Sequence, residues 1–200
     1  IDLYQCHRFD PDTPLAETCR VMHDLIVAGK VLYWGVSEWT ADQIEEAHSL
    51  CVENGWHLPV SNQPLYNMLE RHWEAEVFPA CKRLGMGIIN FSPLCEGLLS
   101  GKYLDGVPEG SRAADESLGQ FLAPRMTVQN ADRIRALCGI AEELSASMAA
   151  LALRWCLRRE ELTSTIVGAT RPDQLRQNVA AVDIDLDAST LEAIEAILAS

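Results

Sequence analysis

The sequence predicts a parallel α/β fold built from five strand-and-helix units. Five short apolar runs alternate with segments of helical periodicity, no hairpin signal joins neighbouring runs, and the runs end in polar residues or glycine. Alternation at this spacing is typical of right-handed parallel units, either in an open doubly wound sheet or in a (β/α)8 barrel. The length of 200 residues is enough to bury a sizeable core in one domain.

The number of strands decides between these two architectures. Five strands are too few for a closed barrel, but a barrel without its first three units has this number, and the chain begins at Ile1 in a run that reads as a strand. No GxGxxG motif follows any predicted strand, which argues against a dinucleotide-binding open sheet. We therefore expect residues 1–200 to form the C-terminal five-eighths of one barrel domain, with its N-terminal part absent.

The strands are predicted because each run is short, rich in apolar residues and bounded by turn residues. The first run alternates apolar and polar residues and ends at His7, and the second ends at Ser37. The third is short and ends at Gln63, the fourth breaks at Ser92 before a proline, and the fifth ends at Gly168. In chain order the predicted strands are residues 1–7, 31–37, 58–63, 88–91 and 163–167.

The helices are predicted from apolar residues that recur every three or four positions. Thr13, Thr40 and Ser147 are the predicted N-caps of three of them, and Pro172 opens another. In chain order the predicted helices are residues 14–28, 41–54, 70–84, 130–144, 148–158, 172–182 and 188–199. Residues 100–128 form a long connection rich in glycine, proline and charged residues, and connections of this length are usually functional or mobile.

Composition excludes several classes of function. The net charge of −13 argues against nucleic-acid binding and against adhesion to anionic membranes. No run approaches the roughly 18 to 20 apolar residues of a membrane span. The seven cysteines lie singly, none in a CxxC pair, which indicates free thiols in a reducing compartment. We expect a cytoplasmic protein without nucleic-acid or membrane partners.

The residues at the strand ends point to binding chemistry. In parallel α/β folds the functional site lies at the carboxyl ends of the strands. There Ser37, Gln63 and Ser92 can donate and accept hydrogen bonds, but His7 is the only good acid–base group. This set suits an amide, a sugar or a phosphate better than hydrolysis. His7 is either a carbonyl-orienting donor or a packed histidine, and no partner at metal-ligand spacing accompanies it, so no metal is expected.

Several other residues have two readings. Phe91 is either core or a stacking surface for a flat ligand. Lys102 and Arg112 are either solvated charges or phosphate ligands, together with the helix start after Gly168. Glu38 is a lone carboxylate at a strand end, and it could serve as a base.

Seven motifs then occur in order along nearly the whole chain: DLYQCH at 2–7, GKVLYWGVS at 29–37, NQPLYN at 62–67, FSPL at 91–94, GLLSGK at 97–102, GSR at 110–112 and IVGATRPDQL at 166–175. Together they resemble the aldo-keto reductase family. The branch they resemble most contains bacterial glyceraldehyde-phosphate reductases and potassium-channel β subunits.

The resemblance implies a TIM (β/α)8 barrel, incomplete here, that binds NADP(H) and reduces an aldehyde or a ketone by hydride transfer. It implies that His7 orients the substrate carbonyl, that Ser37 and Gln63 hold the nicotinamide amide, and that Phe91 stacks on its ring. Residues implied at the pyrophosphate are Ser92, Leu94, Gly97 and Lys102, under the long loop as a lid. Those implied at the adenosine half and its 2′-phosphate are Arg112, Gly168, Thr170, Gln174 and Asn178.

The chain departs from the family pattern in three ways. The family's catalytic Asp, Tyr and Lys precede the fourth strand, and no residue here matches them, so we expect the 200 residues alone to be inactive. Glu38 stands where the family usually has Asn, and a carboxylate there can only accept hydrogen bonds. Gln174 stands where other branches carry Arg. The resemblance still favours NADP over NAD, although this position lacks the arginine of those branches.

Two functions remain open at this stage. The first is an NADP-dependent reductase of small aldehydes or ketones. The alternative is a nicotinamide-cofactor-binding regulatory subunit with little or no turnover. A homo-oligomer is compatible with either function.

Overall fold

The computed structural model describes all 200 residues and divides them into two compact units. The first unit comprises Ile1–Leu65, His72–Phe91 and Glu160–Ser164. The second unit comprises Tyr66–Arg71, Ser92–Arg159 and Thr165–Ser200.

A five-stranded sheet forms the centre of the first unit, with only its last residue assigned to the second. Its strands are β1 (Leu3–Cys6), β2 (Tyr33–Val36), β3 (Ser61–Asn62), β4 (Gly87–Asn90) and β5 (Leu162–Thr165). They are ordered β1-β2-β3-β4-β5, and the three pairs from β1 to β4 are parallel. The sheet is not closed, because β1 and β5 are its two edges. The predicted parallel α/β fold is therefore confirmed, and the open sheet matches an incomplete (β/α)8 barrel.

Two helices follow β1 and β2, namely α1 (Leu15–Val27) and α2 (Ala41–Asn54). α2 begins as predicted, because Thr40 and Gln43 form a reciprocal capping box. The prediction for α1 was wrong in one detail, since Pro14 occupies the N-cap position and makes no side-chain cap. The Thr13 hydroxyl instead donates to Asp10 at 2.7 Å, so it stabilises the preceding turn.

The third helix is shorter than the sequence predicted. Instead of a helix over residues 70–84, a 3-10 turn at His72–Glu74 precedes α3 (Val77–Arg83). Pro79 explains the difference, because proline lacks an N–H and fits only the first turn of a helix. A helix that contains Pro79 must therefore begin within a few residues before it.

Gly35 lets two polar side chains meet across β2. Gln5 of β1 is its register partner, and the Gln5 amide donates to the Ser61 hydroxyl of β3 at 3.1 Å. A methyl group on Gly35 would lie 2.5 Å from Gln5 Oε1 and 2.7 Å from the Ser61 carbonyl oxygen. Only glycine leaves room for this contact between strands that are not neighbours.

We expect Gly35→Ala to destabilise the intact protein by about 1–3 kcal/mol, because the methyl group overpacks the sheet and displaces the Gln5–Ser61 hydrogen bond. The midpoint of urea unfolding measures this loss. The matched control is Gly139→Ala in the helix Val128–Glu143, where nothing lies within 4 Å of the added methyl group. That substitution should be stabilising by about 0.5–1 kcal/mol. Equal effects at both positions would contradict the crowding at Gly35.

The second unit is largely helical. Its helices are α4 (Glu116–Leu122), α5 (Val128–Glu143), α6 (Met148–Cys156), α7 (Pro172–Val179) and α8 (Ala188–Ala199). Ser147 caps α6 as predicted, and Thr127 and Asp187 cap α5 and α8. The long connection predicted over 100–128 contains α4 in addition to its loops. The Asp115 carboxylate accepts two backbone N–H groups at the start of α4, and this cap is the signal that could have located it.

The indole of Trp155 makes three kinds of contact within the second unit. It is fully buried on α6, stacks on Tyr66 with ring centroids 5.6 Å apart, and donates from Nε1 to Glu195 at 3.2 Å. The guanidinium carbon of Arg158 lies 3.5 Å from the centre of its ring. Arg158 also donates to the Tyr66 hydroxyl at 3.0 Å. Stacking, a cation–π contact and a hydrogen bond therefore converge on one indole.

No single helix is long and apolar enough to cross a membrane. α5 and α6 pass a test of length and composition only when counted together, and they are bent by 93° at the break between them. Seven of the residues of α6 are buried inside the protein.

Candidate active site

Four of the predicted site residues follow four neighbouring strands of the first unit. His7 comes after β1, Ser37 after β2, Gln63 after β3 and Phe91 after β4. Because these strands are parallel and adjacent, their carboxyl ends share one edge of the sheet. His7 is exposed, Gln63 and Phe91 are half-buried, and Ser37 is buried.

Hydrogen bonds to backbone carbonyl oxygens hold this edge together. The Ser37 hydroxyl donates to the Gln63 carbonyl oxygen at 2.7 Å, and the Gln63 N–H donates to the Val36 carbonyl oxygen at 2.8 Å. The Phe91 N–H donates to the Pro64 carbonyl oxygen at 3.1 Å. These bonds continue the ladder beyond the regular strands, so the site residues sit on ordered backbone.

Arg8 belongs to the same edge and was missed by the sequence reasoning. Its guanidinium contacts Ser37 at 3.2 Å and Glu38 at 3.1 Å. The signal available was a basic residue directly after the strand-end His7. The sequence left open that Glu38 serves as a base, and in the structure its carboxylate is engaged by Arg8 and by the Leu65 N–H.

The remaining predicted residues lie in the second unit, several of them around Glu96. The Glu96 carboxylate accepts hydrogen bonds from the Ser92 hydroxyl and from the Arg112 guanidinium. Ser92 has a positive φ of 52°, which starts the sharp turn after Phe91. A Cβ atom on Gly168 would lie 3.9 Å from Arg112. Ser92 and Arg112 therefore share the Glu96 carboxylate, and Gly168 lies next to Arg112.

Gly97 makes room for a lysine. A Cβ atom on Gly97 would lie 3.1 Å from both Cε and Nζ of Lys102, and Gly97 has a φ of 95° that favours glycine. The Lys102 ammonium also lies 4.9 Å from the centre of the Tyr103 ring. The exposed ammonium is thereby held over the glycine turn.

Three further predicted residues lie just before α7 or on it, and one is a partly buried residue that packs against the core. Gln174 Oε1 accepts from the Thr170 N–H at 2.8 Å and from the Thr170 hydroxyl at 3.1 Å. Asn178 is one turn further along α7 and half-buried. The Leu94 side chain packs against Ala150 of α6 in an apolar cluster. Leu94 can therefore offer its backbone, but its side chain stabilises the core.

The thiols near these residues are poor nucleophiles. Burial raises the pKa of Cys6, at the end of β1, to about 11. Burial likewise raises the pKa of Cys95, in the turn after Ser92, to about 12. Both thiols therefore stay protonated at neutral pH. No group of three or more His, Cys, Asp or Glu side chains is arranged to hold a metal ion.

The open parallel α/β sheet is that of an incomplete (β/α)8 barrel, and sequence comparison supplies the family. A family model described as Aldo/keto reductase family matches residues 1–199. The chain belongs to the aldo/keto reductase family.

Individual relatives carry two kinds of name. A protein of Schizosaccharomyces pombe, named as a voltage-gated potassium channel subunit beta, is 40% identical over 201 residues, which cover 98% of this chain and 58% of the relative. One of Arabidopsis thaliana with the same kind of name is 40% identical over 205 residues, or 100% and 62%. An L-glyceraldehyde 3-phosphate reductase of Escherichia coli strain K12 is 36% identical over 197 residues, or 96% and 56%. The chain thus spans between 56% and 62% of the length of these relatives.

Proposed function

We propose that the protein is an NADP(H)-dependent oxidoreductase that reduces small aldehydes or ketones to alcohols. The observation that carries this proposal is the row of His7, Ser37, Gln63 and Phe91 at adjacent parallel strand ends. Membership in the aldo/keto reductase family supports it. On this proposal the chain is the C-terminal five-eighths of one barrel domain.

The residues of the first unit fit the nicotinamide part of the cofactor. The hydroxyl of Ser37 and the amide of Gln63 are suited to a carboxamide, which both donates and accepts hydrogen bonds. Phe91 is half-buried, so part of its ring is available for stacking on a flat heterocycle. The bound nicotinamide would supply the hydride.

The residues of the second unit fit phosphate groups. Lys102 and Arg112 are exposed or half-exposed cations, and Gly97 and Gly168 carry no side chain that would block a close approach to the backbone. Thr170, Gln174 and Asn178 at α7 would contact the adenosine half. Because Gln174 already accepts hydrogen bonds from Thr170, we assign the preference for NADP over NAD to Arg112 rather than to Gln174.

His7 would act on the substrate itself. Its exposed imidazole is available to donate a hydrogen bond to the substrate carbonyl oxygen, which polarises the carbonyl and stabilises the developing alkoxide. No tyrosine of this chain is matched to the family's proton donor, and we expect the 200 residues alone to show no turnover.

Steady-state kinetics with the intact protein test the proposal. NADPH should be oxidised when glyceraldehyde 3-phosphate or another small aldehyde is added, and the aldehyde should be recovered as the alcohol. The names of two relatives favour the alternative of a cofactor-binding regulatory subunit. Tight NADPH binding without turnover on a panel of aldehydes and ketones would support that alternative, and absence of NADPH binding would contradict both.

The cellular compartment of the protein is part of the same proposal. All seven cysteines are free thiols, although Cys19 and Cys51 lie side by side in the buried core of the first unit. Free thiols persist in a reducing compartment, so we assign the protein to the cytoplasm. Isolation under alkylating conditions that trap disulfides tests this assignment, and a disulfide-linked native form would contradict it.

Glu96 is expected to compete with the cofactor. Its carboxylate occupies the Ser92 hydroxyl and the Arg112 guanidinium, both of which we assign to phosphate groups. We expect Glu96→Gln to strengthen NADPH binding by about two- to fivefold, the size of a partly exposed ion pair. Isothermal calorimetry at two salt concentrations measures the gain, which should shrink at high salt.

The matched control for this prediction is Glu116→Gln, which removes an exposed carboxylate from α4. The control should leave the dissociation constant for NADPH unchanged. Weaker binding by Glu96→Gln would show that Glu96 supports the site rather than competing for its donors.

A further inference from the structure

The ion pair between Arg8 and Glu38 links three strand ends. Arg8 Nη1 donates to the His7 carbonyl oxygen at 2.5 Å and to the Ser37 hydroxyl at 3.2 Å, and Nη2 lies 3.1 Å from Glu38 Oε2. The other oxygen of Glu38 accepts the Leu65 N–H at 2.8 Å. The pair thereby joins the ends of β1 and β2 to the segment after β3.

The backbone conformation of Glu38 and the low exposure of its side chain fit a residue that bonds within the protein. It has a positive φ of 58°, an uncommon conformation for a residue other than glycine, asparagine or aspartate. Its side chain is only 21% exposed, and both carboxylate oxygens have protein donors. Such a carboxylate serves the protein as an anchor and has little capacity left for a ligand.

The consequence falls on Ser37. A hydroxyl has one hydrogen to donate and two lone pairs with which to accept. The hydrogen of Ser37 goes to the Gln63 carbonyl oxygen at 2.7 Å, and one lone pair receives Arg8. One lone pair remains, so Ser37 can only accept a further hydrogen bond.

We propose that Arg8 and Glu38 are positioning residues that fix the Ser37 hydroxyl as an acceptor for the –NH2 group of the nicotinamide carboxamide. The inference rests on the proposed function, because it concerns the same cofactor. A carboxamide has a donor end and an acceptor end, and a residue that can only accept selects the donor end. The pair therefore sets which way the carboxamide is turned, without touching the cofactor.

The test compares NADPH with its 3-acetylpyridine analogue, in which a methyl ketone replaces the carboxamide and no N–H remains. Isothermal calorimetry on the intact protein gives the two dissociation constants. The wild type should bind NADPH about tenfold more tightly than the analogue, the size of one good hydrogen bond. Arg8→Met should lose most of this preference, because without the guanidinium the Ser37 hydroxyl can turn its hydrogen from Gln63 toward the ligand. Arg8→Lys should restore part of it, because lysine can still donate to Ser37 and pair with Glu38.

Two controls separate this role from general stability. Arg20→Met breaks a surface ion pair with Asp24 on α1, whose side chains are 59% and 54% exposed, and it should leave the preference unchanged. The double variant of Arg8→Met and Glu38→Gln should bind NADPH no more weakly than Arg8→Met alone, because the two residues act as one unit. Additive losses, or an unchanged preference in Arg8→Met, would overturn the proposal.

A measurement without cofactor keeps the pair testable if the proposed function fails. Amide hydrogen exchange at Leu65 should be slow in the wild type and about tenfold faster in Glu38→Met, which removes the acceptor of that N–H. An unchanged rate would overturn the pair itself. A wild type that binds no NADPH while Leu65 exchange accelerates in Glu38→Met would instead overturn the proposed function and the carboxamide contact. It would leave established the link that Glu38 makes to the segment after β3.

Discussion

Replacement of His7 by alanine in the intact protein is expected to lower kcat/KM by about 10²- to 10⁴-fold, while the dissociation constant for NADPH changes less than about threefold. The reason is the position of His7, which follows β1 at the edge where Ser37 and Gln63 follow β2 and β3. Its imidazole is exposed and is the only good acid–base group in this row. A group that touches only the substrate carbonyl should leave cofactor binding nearly intact.

The measurement is a pair of experiments on each variant, steady-state kinetics with a small aldehyde and calorimetric titration with NADPH. His7→Gln retains a hydrogen-bond donor and should recover part of the rate. The matched control is His48→Ala on α2, which should affect neither quantity by more than about twofold. Parallel losses of turnover and NADPH affinity in His7→Ala would remove the assigned role.

Trp155→Ala is expected to lower the free energy of unfolding by about 3–5 kcal/mol. The indole is fully buried, and its removal leaves a cavity next to Tyr66. The substitution also removes the ring beneath the Arg158 guanidinium and the Nε1 donor to Glu195. Two charged groups would thus lose an aromatic or hydrogen-bonding partner at the same time.

Urea unfolding of the intact protein, followed by far-ultraviolet circular dichroism, measures this loss. Trp155→Phe should cost clearly less, because phenylalanine keeps the stacking but loses the hydrogen bond. Val128→Ala, at a position that is 80% exposed, should stay within about 0.5 kcal/mol of the wild type. A loss no larger than that of the control would contradict the assignment of Trp155 to a tightly packed core.

The elements that local sequence signals specify were predicted well. Thr40 and Ser147 cap the helices that they were expected to cap, and the short apolar runs became parallel strands in chain order. The errors arose where a local signal competes with another. Thr13 bonds to a neighbouring turn instead of capping α1, and the early start predicted for α3 overlooked Pro79.

The candidate site was predictable in its residue types but not in its contacts. His7, Ser37, Gln63 and Phe91 follow strands, so the edge they share could be read from the sequence. The ion pair of Arg8 with Glu38 could not be predicted. It joins residues 30 positions apart, and it depends on a positive φ at Glu38 that the sequence does not indicate. The same holds for Glu96, whose partner Arg112 lies in the long connection.

The distribution of tryptophan gives the protein a built-in spectroscopic label. Trp34, Trp39, Trp56 and Trp73 belong to the first unit, and Trp155 is the fifth and last tryptophan of the chain and the only one in the second unit. Within residues 1–200, tryptophan emission from the Trp155→Phe protein therefore originates in the first unit alone, and subtraction from the wild-type spectrum isolates the second. Two unfolding curves obtained in this way would coincide if the units melt as one cooperative body and would separate if each melts on its own.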